Sequence, residues 1–209
     1  VGEYGVSEVG DSSSLRHVVL VGGTPHQWLE MNADQWRQRI ADVCRGTAVA
    51  HPRWITLMPH SGANLAPDEF AEWLTMFEHD VKATSVTTHG WTRHVFETDD
   101  AVSVIVDPCA DGRHRFASLL ENVRHSSVDF ESLTEDDLAA LVLAPAETEP
   151  DLVVILGPAD RVPTSLMWEL GYSELVFLDL SWTELEVPHL EVAVDDFHRR
   201  QRRFGGLDS

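Results

Sequence analysis

The stretch "DLVVILGPADRVPTSLMWELGYSELVFLDLSW", residues 151–182, decides the fold. Residues 152–156 form an unbroken aliphatic run closed by Gly157-Pro158, the pattern of a strand buried on both faces. A second apolar run, "VFLDL" (176–180), follows "SLMWELGYSEL" (165–175), whose apolar spacing predicts a helix. Two buried strands joined by a crossover of this length pair in parallel, because a tight turn joins only antiparallel strands.

The same alternation extends outward in both directions. "HVVLV" (17–21), "WITLMP" (54–59), "SVTTHG" (85–90) and "VSVIVD" (102–107) read as further strands. Between them, "NADQWRQRIADVCRG" (32–46) predicts a helix capped by Asn32 or Asp34 and ended by Gly46. "APDEFAEWLTMFEHDVKA" (66–83) predicts another, with Pro67 in its first turn and Phe70, Trp73, Leu74 and Phe77 on one face. That aromatic stripe reads as core. "RFASLLENVR" (115–124), "TEDDLAALV" (134–142) and "EVPHLEVAVDDFHRRQRRF" (186–204) complete the helices. Strands alternating with helices imply an α/β domain with a mainly parallel sheet covered on both faces. No repeat or linker divides the chain. The expectation is one domain over 15–209, preceded by a small, polar and disordered segment over 1–14.

Composition narrows the function. The chain has 209 residues, 43% apolar and 24% charged, as expected of a soluble globular protein with a sizeable core. Its formal charge of -20 argues against a broad nucleic-acid surface, which needs uncompensated cations. No apolar run reaches the roughly 20 residues that span a bilayer, and no signal-peptide pattern is present, so the expected location is cytoplasmic. Cys44 and Cys109 lack any ligand spacing and read as buried thiols of a reducing compartment.

Generic motifs yield no enzyme. "VGGTPHQW" (21–28) is neither a P-loop nor a dinucleotide-binding fingerprint, and on its own pattern it reads as a turn. The histidines are scattered without a metal-binding spacing, and "ETDD" and "TEDD" read as solvated charge. One feature resists this bland reading. Arg199, Arg200, Arg202 and Arg203, four of the 15 basic residues, fall within five positions just before Phe204-Gly205-Gly206. Complementing the helix dipole explains one or two of them, not the run.

The deciding stretch resembles the cis-prenyltransferases, the undecaprenyl diphosphate synthase family. Asp151, Gly157, Arg161, Trp168, Tyr172, Glu174, Leu175, Phe177, Asp179 and Trp182 stand in register with that family's segment, and "RRQRRFGG" follows at its distance. "HVVLVGGTPHQW" (17–28) is spaced like the family's first strand and Asp-Gly-Asn loop, and "VSVIVDPCADGRHRF" (102–116) resembles its Asn-Tyr-Gly-Gly-Arg turn. The resemblance implies the family's fold and an activity that lengthens an allylic diphosphate with isopentenyl diphosphate. It also implies Mg²⁺ held by an aspartate at the end of the first strand.

The departures from the family pattern define the expected role. Gly23 stands at the metal aspartate, Pro25 at the asparagine and Gln27 at the arginine of the first loop. Ile155 stands at the first isopentenyl-binding arginine and Pro163 at the serine, so Arg161 alone survives from that trio. Gly157-Pro158 and Arg203-Phe204-Gly205 resemble the Nogo-B-receptor-like branch, whose members are non-catalytic subunits paired with a catalytic cis-prenyltransferase. The resemblance implies a bacterial accessory subunit with no metal or catalytic residue of its own. Its catalytic partner, in a heterodimer, would hold the Mg²⁺ and both diphosphates, and its membrane contact would be peripheral, through the lipid product. Arg203 and Gly205 would reach the partner's diphosphate, with Arg161 and Glu174 as residual diphosphate-binding positions. The expected dimer surface is 166–182. Two alternatives stand beside this reading: a homodimer with altered prenyl-diphosphate chemistry, with Glu174 as a metal ligand, and a non-enzymatic prenyl-diphosphate-binding protein.

Overall fold

A computed structural model describes residues 15–88, 90–126 and 132–204. Its strands are β1 (His17–Val21), β2 (Trp54–Met58), β3 (Thr84–Thr88), β4 (Trp91–Glu97), β5 (Ser103–Val106), β6 (Leu152–Leu156) and β7 (Glu174–Leu178). Its helices are α1 (Pro25–Leu29), α2 (Ala33–Thr47), α3 (Pro67–Met76), α4 (Gly112–Arg124), α5 (Glu135–Leu143) and α6 (Val187–Phe204). The strands make one sheet in the order β3-β4-β5-β2-β1-β6-β7. β5, β2, β1, β6 and β7 run parallel, and β3 and β4 add an antiparallel hairpin at one edge. The expected α/β architecture with a mainly parallel sheet is therefore the observed one. The segment before Leu15, expected to be disordered, lies outside the described residues.

The apolar runs become the central strands because both sheet faces are covered. Every residue of β1, β2, β5 and β6 is buried. One face packs against α2, α3 and α6 through Leu20, Ile55, Leu57, Trp36, Phe77 and Leu190, all buried. The other face packs Val19, Val21, Met58 and Ile155 beneath Leu166, and Leu119, Val123 and Val142 join α4 to α5.

Local chemistry sets the helix starts. Asn32 caps α2: its Oδ1 accepts from Gln35 N at 3.0 Å while Gln35 Oε1 accepts from Asn32 N at 2.9 Å. Asp34 lies in the first turn instead, where its charge suits the helix dipole. Thr134 and Asp137 repeat this reciprocal cap on α5.

Three of the local expectations that differ from the structure do so for a tertiary reason. Gly46 does not end α2, which continues through Thr47; a Cβ at Gly46 would lie 2.6 Å from Leu190 Cβ, so this glycine lets α6 approach α2. β4, a strand the sequence pattern does not announce, carries Arg93 and His94 in its buried centre. Within 165–175 only a 3-10 turn, Trp168–Leu170, is helical. Glu169 is drawn inward by Arg115, and its Oε2 accepts from Met167 N at 3.1 Å, which closes a turn rather than a helix.

Candidate functional site

The C-terminal edge of the sheet gathers the first glycine loop and the loop after β6. Val21 pairs with Met58 and Ile155, so Gly23 and Gly157, each two residues further on, reach the same level. His60 bridges them: its N–H donates to Gly23 O at 2.8 Å and its carbonyl accepts from Thr164 N at 3.0 Å. Arg161 is exposed on this same loop. Burial and the Arg161 charge both hold the His60 imidazole below its ordinary pKa.

The turn at the end of β1, where the resemblance puts the cation-binding aspartate, is tight around Gly23. Gly23 has φ of +71°, and a Cβ there would sit 3.1 Å from both Trp182 Cβ and Trp28 Nε1. Trp28 Nε1 donates to Gly22 O at 3.1 Å, so the carbonyls of Gly22 and Gly23 are both engaged within the protein. A hard cation needs several oxygen ligands, and the turn's one side-chain oxygen, Thr24 Oγ1, accepts from Gln27 N at 3.2 Å. Among the described residues, no group of three or more His, Cys, Asp or Glu side chains could hold a metal.

The other altered positions have taken structural roles. Pro25 is buried at the start of α1. Gln27 completes a capping box with Thr24, its Oε1 accepting from Thr24 N at 3.0 Å. Ile155 is fully buried beside Val21, Met58 and Leu166. Pro163 is buried in the loop that turns back over α4.

Glu174 stands apart from these residues. It begins β7, in register with Leu152 and through it with Val18, so Gly23 lies about 16 Å further along the strands at a rise of ~3.3 Å per residue. Its carboxylate pairs with Arg200 at 3.5 Å. Arg200 also donates to Leu175 O at 3.0 Å and to Asp196 at 2.6 Å, which ties the end of α6 to the edge strand. Arg199 pairs with Asp195 on the surface at 3.6 Å. The helical backbone continues through Arg203 to Phe204, and Gly205 lies outside the described residues.

Local pattern missed a buried network of four charges. Arg93 Nε and Arg115 Nη1 donate to Asp107 Oδ2 at 2.9 and 3.0 Å, and Arg115 Nη2 donates to Glu169 Oε1. Trp91 Nε1 and Cys109 N hold Asp107 Oδ1 at 3.2 and 3.0 Å. Burial alone would raise the Asp107 pKa, but the two guanidiniums and the Cys109 amide outweigh it and keep the carboxyl below its ordinary range. Burial would likewise lower Arg115, and Glu169 with Asp107 reverse that. Asp107 is thus fixed as an anion, unsuited to proton transfer. The Cys109 thiol, pushed up to about 12 chiefly by burial, is no nucleophile. A cleft of about 260 Å³ beside this network is lined by Asn64, Leu65, Phe70, Trp91 and His114. The sequence signal was slight: Asp107 follows a buried strand, but nothing local links it to Arg115 or to the distant Glu169.

Comparison with known proteins places this geometry in context. The family model described as "Putative undecaprenyl diphosphate synthase" matches residues 86–205. The chain is 36% identical over 98 residues to a ditrans,polycis-undecaprenyl-diphosphate synthase ((2E,6E)-farnesyl-diphosphate specific) of Lactiplantibacillus plantarum, covering 46% of this chain and 37% of that one. It is 37% identical over 89 residues to isoprenyl transferase 2 of Bradyrhizobium diazoefficiens, covering 43% and 35%. The aligned region thus spans little more than a third of these curated relatives. Lavandulyl diphosphate synthase from Lavandula x intermedia, solved in complex with dimethylallyl diphosphate, superposes with a TM-score of 0.58 at 13% identity, over 90% of this chain and 97% of its own. A probable undecaprenyl diphosphate synthase from Campylobacter jejuni gives 0.58 at 16% identity, over 92% and 99%. At these identities the structural likeness speaks for the fold alone.

Proposed function

The chain belongs to the undecaprenyl diphosphate synthase family of cis-prenyltransferases, and from that premise we propose that it is the non-catalytic subunit of a heterodimeric cis-prenyltransferase. A catalytic homologue supplies the aspartate, the Mg²⁺ and the allylic site. This chain supplies the fold, a dimer surface around 166–182 and the Arg203-Phe204-Gly205 tail. Gly23 and its backbone conformation carry the proposal. Glycine brings no side-chain ligand to the position where the family pattern has its metal aspartate, and the φ of +71° at Gly23 is one that side-chain-bearing residues rarely adopt.

Two further observations support the reading. A growing prenyl chain needs a long apolar cavity, whereas the space beneath α2 and α3 is packed with rings. Trp28 lies 5.3 Å from both Trp36 and Trp182, Trp36 4.9 Å from Phe77, and Trp73 4.1 Å from Phe77, centroid to centroid. Ile155 and Pro163 sit in packed positions where diphosphate-binding side chains would have to emerge. The homodimeric alternative asks Glu174 to serve as metal ligand, and in this chain Glu174 pairs with Arg200 at 3.5 Å, a contact that ligation would have to break.

Co-expression with each family member of the same genome that keeps the strand-end aspartate tests assembly. A single size-exclusion peak containing both chains is expected. Separate peaks with every such member contradict the proposal.

A further inference from the structure

At the edge of the sheet opposite Gly23, a cleft of about 480 Å³ opens between the end of α2, the approach to β2 and the turn from β4 to β5. Arg53 lies one residue before Trp54, which is in register with His17, so Gly23 is roughly 20 Å further along the strands at a rise of ~3.3 Å per residue. Ala48, Pro52 and Val102 give the cleft apolar walls. Cys44 adds to them, because burial first and then the Asp100 charge push its thiol up to about 11 and keep it neutral. Arg45, His51, Arg53 and Asp100 bring the polar groups.

The two guanidiniums differ in their commitments. Arg45, in the last turn of α2, answers the negative end of that helix and pairs with Asp42. Arg53 has no carboxylate partner among the described residues; its guanidinium lies over the Trp54 ring, 5.5 Å from the centroid. In a chain with 35 acidic and 15 basic residues, such an arginine is held apart from acids rather than short of them. The walls are also preformed. Thr98 N and Oγ1 both donate to Val102 O at 3.1 Å, and Val102 N donates back to Thr98 Oγ1 at 3.2 Å. Among the described residues three non-glycine residues have positive φ, and two of them, His51 at +49° and Ala101 at +59°, line this cleft. Backbone of that kind is costly for a residue with a Cβ and collects at ligand sites.

We propose that this cleft binds a small organic monocarboxylate, its carboxylate on the Arg53 fork and the His51 ring and its apolar body against Ala48, Pro52 and Val102. The charge balance selects the class. With Arg45 answered by Asp42, Arg53 is the one uncommitted cation of the cleft, and a planar fork suits a carboxylate with two acceptor oxygens. A second negative charge on the ligand would face Asp100, so a phosphate dianion or a diphosphate is disfavoured. The site does not depend on the accessory-subunit reading.

Benzoate and hexanoate are the probes, with benzamide as the neutral counterpart and phenyl phosphate as the dianion. Binding to the full chain is followed by amide NMR. Expected are saturable shifts within 44–53 and 98–102 for both carboxylates, with benzamide and phenyl phosphate weaker by about tenfold or more. Arg53→Gln should lower carboxylate affinity about tenfold or more, whereas Arg113→Gln, at an exposed arginine of α4, should leave it unchanged. Asp100→Asn should raise it severalfold by removing a like charge. Arg53 and Asp100 are both exposed, and a damaged fold could not produce that gain. The proposal is overturned if neither carboxylate gives saturable shifts up to tens of millimolar, or if the shifts lie outside these two segments. Equal binding of benzamide, tighter binding of phenyl phosphate, unchanged affinity in Arg53→Gln, or no gain in Asp100→Asn overturns it as well.

Discussion

Gly23 shows why the altered loop cannot be repaired by one substitution. Gly23→Asp would place a Cβ against Trp28 and Trp182 in a backbone conformation with positive φ, and an L side chain there costs roughly 1–2 kcal/mol before any clash. Expected is a lower melting temperature and no Mg²⁺-dependent prenyl transfer; tight Mg²⁺ binding by calorimetry with full stability would contradict the closure. The arginines separate in the same way. Arg200→Ala should cost about 1 kcal/mol, since it removes the ties to Leu175, Glu174 and Asp196. Arg199→Ala should change stability by less than about 0.5 kcal/mol. Arg203→Ala should leave the complex assembled but lower its turnover about ten- to a hundred-fold, if that side chain reaches a diphosphate. Equal rate losses for all three, in step with stability, would make the run purely structural. His94 provides a pH test. It is fully buried among Phe70, Trp73 and Phe77, with Nδ1 3.2 Å from Ser85 Oγ, which donates to Glu78. Burial lowers its pKa from 6.5 to about 4, against the smaller raising effects of Glu78 and Asp107. The folded state therefore prefers neutral His94, and its contribution is complete above 6.5 and is lost as pH falls toward 4. Between pH 7.5 and 5 it should remove about 2 kcal/mol from the unfolding free energy. His94→Phe should flatten that part of the decline; an identical slope in denaturant titrations would show that His94 is not its source.

At the scale of elements, the contact between α2 and α6 turns on Gly46. Alanine favours a helix over glycine by about 1 kcal/mol, but its Cβ would meet Leu190 Cβ at 2.6 Å and Val187 O at 3.1 Å. Overpacking of this kind costs about 1–3 kcal/mol, so Gly46→Ala should be destabilising on balance, and a raised melting temperature would show that α6 can shift outward. The same residue marks the limit of local reading. Glycine after a helical pattern suggests a stop, and only the partner helix reveals that it is an approach. β1, β2 and β6 were legible because an unbroken apolar run has few other ways to be buried. The caps at Asn32 and Thr134 were legible because their partners lie three residues away. β4 was not, because Arg93 and His94 interrupt its pattern and are satisfied by Asp107, Ala144 and Ser85 from other parts of the chain. The turn at 165–175 imitated a helix for the same reason: Glu169 is paired with Arg115, 54 positions earlier. Of the candidate site, the altered positions could be named from the resemblance. The closure of Gly23 by Trp182, and the distance of Glu174 from it, needed the sheet register.

Across the whole molecule, charge and packing point the same way. The aromatic rings beneath α2 and α3 are closely packed, and three exposed apolar residues, Val162, Met167 and Tyr172, lie in the stretch that crosses α4 before β7. The proposed heterodimer calls for a large, lasting interface, on the order of 2,000 Å² in total. Among the described residues, no helix is long and apolar enough to cross a membrane. The central claim is that catalysis belongs to another chain. It is tested most directly by following incorporation of labelled isopentenyl diphosphate into a short allylic diphosphate with Mg²⁺, using this chain alone, the homologue alone and the two together. The account predicts no product above a no-protein control from this chain alone, and greater turnover from the mixture than from the homologue by itself. Repeated turnover by the isolated chain would contradict it.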